Sequence, residues 1–153
     1  MTPGDKDRSP IDPAASLLDR EPRLRLIVEI LQSRKGLDIA VMDLRRVTDA
    51  ADYFVLCTGN SDVHVHALSQ DLVERLTQSG ERPWHVEGAE TRRWVLVDLV
   101  DIVIHLLRRE AREFYALERL WGDAEIYHFA DAWDEPVGDA GAVGAWMPDR
   151  VRG

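Results

Sequence analysis

The sequence predicts an α/β layered domain: a mixed five-stranded sheet flanked by helices. Two observations carry this. Residues 94–107 (WVLVDLVDIVIHLL) form a dense, β-branched apolar run, the composition of strands buried on both faces. Along the chain, segments with apolar residues at a period of 3.6 alternate with such runs, and helices between buried strands must lie on the faces of a sheet. The resulting order is α-β-β-α-β-β-β-α.

Residues 1–21 are rich in Pro, Asp and Ala, lack periodicity and are expected to be a disordered tail. The domain proper is expected over 22–125. Pro22 suits a first helical turn, Leu24, Ile27, Val28 and Leu31 follow at helical spacing, and Gly36 is a plausible stop. Asp38–Leu44 and Tyr53–Thr58 read as buried strands. Gly59-Asn60-Ser61 ends the second and opens a helix that Asn60 or Ser61 can cap. Val65, Leu68, Leu72, Val73 and Leu76 are its apolar stripe, and Gly80 ends it. Pro83–Glu87 reads as a short strand near an edge, because Pro83 cannot donate to a ladder. After a turn at Gly88–Arg93 come strands at Trp94–Leu99 and Asp101–Leu107, with a reversal near Val100-Asp101. From Arg108 the period returns to 3.6, placing Ala111, Phe114, Tyr115, Leu117 and Leu120 on one helical face. Arg108-Arg109 sits unfavourably at the positive end of that helix and reads as a solvated face. Residues 126–153 turn to Gly, Ala, Asp and Pro and read as an acidic, disordered tail, with Trp133 and Trp146 as isolated contact points at most.

A chain of 153 residues supports one domain with a core. No apolar run approaches the roughly 18 residues a membrane span needs, so no membrane partner is expected. The N-terminus lacks a signal-peptide pattern, and Cys57 stands alone in an apolar strand; the expectation is a reduced core cysteine in a cytoplasmic protein. The net charge of −9 divides as −2 over residues 1–21, −2 over 22–121 and −5 over 122–153. Bare nucleic acid needs clustered Lys and Arg, which this distribution does not offer, so no direct sequence-specific contact with nucleic acid is expected. A basic protein is the more natural partner.

Three chemistries are open to these residue types. Gly59-Asn60-Ser61 at a helix N-terminus, with a divalent metal on Asp98 and Asp101, would make a nucleotidyl-transfer site. However, residues three apart point to opposite faces of a continuous strand, and only a turn between them brings the carboxylates together. Capping such a turn is the simpler role. His64 and His66 lie about 200° apart around a helix and do not chelate one ion together. His85 and His105 add no ligand pattern, so no metal or cofactor is expected. There is no nucleophile elbow, phosphate loop or dinucleotide fingerprint. Protein binding remains: Trp84, Trp94, Tyr115 and Trp121 fall at element ends, and Trp, Tyr and Arg are the residue types that anchor interfaces.

Five blocks together, Asp38–Arg45 (DIAVMDLR), Thr48–Ser61 (TDAADYFVLCTGNS), Val86-Glu87-Gly88, Trp94–His105 (WVLVDLVDIVIH) and Arg112–Trp121 (REFYALERLW), resemble the ribosomal silencing factor, or Iojap-related, family over residues 22–125. The resemblance implies a nucleotidyltransferase-like α/β fold without catalytic acids. It further implies a non-enzymatic factor that binds the large ribosomal subunit through ribosomal protein uL-fourteen. Such a factor blocks small-subunit joining sterically, represses translation under nutrient limitation and can form homodimers. Trp94 matches the motif tryptophan and is the expected partner contact, with Asp98, His105, Tyr115 and Trp121 at further motif positions. Val100 departs from the pattern, where the family commonly has Gly.

Overall fold

The computed structural model describes residues 12–91 and 93–131, with backbone alone at Leu120. Eleven elements follow in order: α1 (Pro13–Arg20), α2 (Pro22–Ser33), β1 (Leu37–Asp43), β2 (Tyr53–Gly59), α3 (Asp62–Gln78), β3 (His85–Glu87), β4 (Trp94–Asp98), β5 (Ile102–Arg108), α4 (Arg109–Tyr115), α5 (Leu117–Leu120) and β6 (Glu125–Phe129). The sheet is six-stranded, in the order β3-β4-β5-β2-β1-β6. The β2–β5 pair is parallel and the other neighbours are antiparallel, so the sheet is mixed as the sequence implies.

One face carries the main core. Leu24, Ile27, Val28 and Leu31 of α2 and Val65, Leu68, Leu72 and Leu76 of α3 pack on Val95, Val97, Ile104 and Leu106. The helix ends follow local rules. Ser61 Oγ accepts from the His64 amide at 3.0 Å, capping α3. Gly80, at φ +87°, closes α3 with the amide of Glu81 bonded to the Leu76 carbonyl. At the end of α2 the left-handed position falls on Lys35 (φ +59°) instead of Gly36. Gly36 is needed for a different reason: a Cβ there would lie 2.4 Å from Cys57 Sγ.

The opposite face has a smaller cover. Ala40, Met42, Leu44, Leu56 and Leu107 pack with Leu117 of α5, and Phe54, Trp94, Trp121 and Ile126 close around them. This cover is short because the expected single helix after Arg108 is interrupted. Strand β5 runs through Arg108, and Ala116 takes a left-handed φ of +47° that separates α4 from α5. Phe114 and Tyr115 therefore turn outward, at 80% and 50% exposure, where the periodicity had placed them on a common stripe with Leu117.

Two elements form outside the expected 22–125 segment. Helix α1 is capped by Asp12, starts at Pro13 and buries Leu17, so the reading of residues 1–21 as structureless is corrected over Pro13–Arg20. Strand β6 adds the sixth strand by pairing with β1, Val41 opposite Tyr127, and so enters the stretch read as a tail. Beyond it, Asp131 Oδ1 accepts from the Asp38 amide at 2.9 Å, at a residue with φ +49°. The tail readings at Trp133 and Trp146 lie outside the described residues.

Candidate partner-binding surface

Trp94 opens β4 opposite Leu107, and its side chain lies on the thinly covered face of the sheet. Its indole Nε1 donates to His105 Nδ1 at 3.1 Å, and the two rings are 5.9 Å apart. His105 stands edge-on to Phe54, with centroids 4.6 Å apart, and Phe54 meets Trp121 edge-on at 6.4 Å. On the other side Trp94 packs on Tyr115 at 4.5 Å, and Tyr115 meets Phe114 perpendicularly at 5.0 Å. Of the five residues expected to contact a partner, Trp94, His105, Tyr115 and Trp121 thus share one continuous chain of rings.

The members of this chain play different parts. His105 is buried, at 4% exposure, so it is no surface contact. Burial pushes its imidazole down from 6.5 to about 4, which keeps the ring neutral. With Nδ1 accepting from Trp94, the ring proton sits on Nε2, which is buried without a hydrogen-bond partner among the described residues. His105 positions Trp94. Tyr115 and Phe114 supply the exposed apolar surface, and Trp94 joins the two. A cavity of about 500 Å³ opens here, lined by Arg93, Trp94, Arg108, Ala111, Phe114 and Tyr115.

Asp98 lies elsewhere. It ends β4, at the far end of the strand from Trp94, and its Oδ1 accepts from the Val100 amide at 2.7 Å. It shapes the β4–β5 turn, closed by the Leu99 amide on the Ile102 carbonyl at 2.8 Å. Asp101, its partner in the metal-site alternative, makes a two-pronged pair with Arg23 of α2 at 2.7 and 3.1 Å. That guanidinium hydrogen bond holds the Asp101 carboxyl below its ordinary range. Both acids are thus committed to holding a turn and its anchor to α2.

Three arginines at the start of α4 are also committed within the chain. Arg108 pairs with Asp62 at 2.6 Å, and Arg109 with Asp38 at 3.0 Å. Arg112 is mostly buried; it holds Glu118 at 2.7 Å, Thr58 Oγ1 at 3.0 Å and the carbonyl of Asp38. His64 bridges the Asn60 amide at 3.0 Å and the Arg34 carbonyl at 2.9 Å. The sequence reading missed Phe114 as an exposed aromatic. Its only signal is that adjacent residues stand about 100° apart around a helix, so a Phe-Tyr pair can spread beyond the buried stripe.

Known proteins resemble this chain in sequence and fold. The family model "Ribosomal silencing factor during starvation" matches residues 18–143. The ribosomal silencing factor of Bacillus subtilis is 34% identical over 109 residues, covering 71% of this chain and 92% of that protein. A mouse protein, "Mitochondrial assembly of ribosomal large subunit protein 1", is 34% identical over 99 residues, covering 62% of this chain and 43% of that protein. A crystal structure of a protein from Chromobacterium violaceum superposes with a TM-score of 0.62 at 35% identity, covering 64% of this chain and 82% of that one. Among the described residues no helix is long and apolar enough to cross a membrane. This chain belongs to the ribosomal silencing factor family, whose Iojap-related resemblance its motifs carry.

Proposed function

We propose that this protein binds the large ribosomal subunit in the cytoplasm, through ribosomal protein uL-fourteen, and blocks small-subunit joining by occupying space, so that translation falls when nutrients are scarce. The observation that carries the reading is the exposed aromatic surface at the end of β4 and α4. Phe114 is 80% exposed and Tyr115 50%, on a base of Trp94 that is fixed from behind by His105. Aromatic rings have few rotatable bonds, so they lose little side-chain entropy on docking, which is what an interface anchor needs. The family description, silencing during starvation, supports the regulatory part. The mouse relative's name supports the large subunit as the partner.

In this reading the protein performs no chemistry. A standard interface of about 800 Å² per partner suffices for a block that only requires residence on the subunit. Homodimerisation would compete with or accompany docking, and the two open sheet edges, β3 and β6, are where a second copy would add. The test is co-sedimentation of the purified protein with isolated large and small subunits. Binding confined to large subunits is expected; absence of binding, or equal binding to both, contradicts the proposal.

A further inference from the structure

A second concavity lies on the other side of Trp94 from the aromatic cavity. It has a volume of about 620 Å³ and runs between the turn after β3 and the outer face of β4. Ala89, Trp94 and Leu96 give it apolar walls, and the titratable residues lining it, among those described, are Glu87 and Glu90. Glu87 stands beside Leu96 in the β3–β4 register, and its carboxylate is 3.2 Å from His85 Nε2. Glu90 is exposed in the turn. The floor is fixed by Gly88, at φ +85°, where an added Cβ would come within 2.2 Å of the Trp94 carbonyl oxygen. Trp94 lines both concavities and so forms the ridge between them. Because its N–H is turned inward to His105, the ring offers a partner its carbon face.

Resting on the proposed docking to the large subunit, we propose that this acidic-mouthed groove takes a lysine or arginine side chain of the ribosomal protein partner, its hydrocarbon stem along Leu96 and Trp94 and its cation between Glu87 and Glu90. The walls fit an amphipathic side chain, which buries a stem and keeps a charged head at the rim. The face of Trp94 favours a cation over a neutral head group. The two carboxylates favour a basic protein and repel a phosphate backbone, so the groove selects protein over ribosomal RNA. The adjoining cavity at Phe114 and Tyr115 supplies apolar contact, and the groove supplies charge recognition.

The experiment measures the affinity of the full chain for purified large subunits across a series of potassium chloride concentrations, for wild type, Glu87→Gln/Glu90→Gln and Glu90→Lys. Circular dichroism melts confirm folding, which these exposed substitutions leave intact. The double variant is expected to bind about tenfold more weakly and with a shallower salt dependence, and Glu90→Lys more weakly still. Wild-type binding with both variants unchanged in affinity and salt slope overturns the groove assignment alone. Wild type failing to bind large subunits overturns the docking reading and the assignment with it. A fall in self-association in the variants with no change in subunit binding assigns the groove to a second copy and overturns the proposal.

Discussion

The indole N–H of Trp94 donates to Nδ1 of a buried, neutral His105 at 3.1 Å, so the tryptophan beside the exposed rings of Phe114 and Tyr115 is aimed from within the fold. The bond requires His105 to stay unprotonated at Nδ1. It is a positioning device, and its consequences for stability and for binding separate cleanly.

The stability consequence is pH-dependent. Burial lowers the His105 pKa from 6.5 to about 4, so between those values the unfolded chain binds a proton that the native chain does not. Stability is therefore fully present above about pH 6.5, falls as pH drops toward 4 and levels off below; the shift corresponds to an upper bound on the order of 3 kcal/mol. His105→Leu is expected to remove the fall between pH 6.5 and 5, a range in which most carboxylates remain ionised. Urea unfolding at several pH values checks this. A variant as pH-sensitive as the wild type contradicts it.

The binding consequence lies at the surface. Phe114→Ala and Tyr115→Ala remove exposed rings, so each is expected to leave the melting temperature within a few degrees while weakening large-subunit binding about tenfold. Trp94→Leu is expected to weaken binding by about 2 kcal/mol and also to lower stability, because it leaves the Nδ1 of His105 unpaired. Affinity and melting measurements on the same preparations distinguish the two effects.

Val100 carries backbone strain. It sits at φ +81°, the first central residue of a two-residue hairpin loop, in the position where a turn of this kind takes Gly. A β-branched residue there costs about 1–3 kcal/mol, partly offset by the greater freedom Gly gains on unfolding. Val100→Gly is expected to stabilise the fold by about 1 kcal/mol, read as a higher denaturant midpoint. A lower midpoint contradicts the assignment of strain to this residue.

The Arg23–Asp101 pair ties the same hairpin to α2. Both side chains are more than a third exposed, so solvent screening limits the pair to about 0.5–1 kcal/mol despite its two-pronged geometry. A double-mutant cycle with Arg23→Ala and Asp101→Asn is expected to give a coupling of that size, diminishing in high salt. No coupling contradicts a structural role for Asp101.

Much of this was legible in the sequence. The β-branched runs located β1, β2, β4 and β5, and Ser61 and Gly80 set the limits of α3, because each of these signals is local. Local patterns do not reveal register. Nothing in the spacing of Trp94 and His105 says that their side chains meet, since that depends on Leu96 pairing with His105 across β4 and β5. Strand β6 escaped because EIYHF is short and alternates weakly, as an edge strand partly open to solvent does. Helix α1 escaped because its prolines were weighed as tail composition, although Asp12-Pro13 is a cap followed by a first-turn proline. The break at Ala116 is not written in the residue itself, as Ala ordinarily favours a helix interior; burial of Leu117 and the anchoring of Arg112 on Glu118 override the local preference.

Subunit joining tests the central claim most directly. Purified large and small subunits are mixed at a magnesium concentration that favours joining, with and without excess protein, and resolved on sucrose gradients. A steric blocker shifts material from joined ribosomes to free subunits, with the protein co-migrating on the large subunit, and Phe114→Ala/Tyr115→Ala shifts much less. Undiminished joining in the presence of saturating wild-type protein contradicts the account.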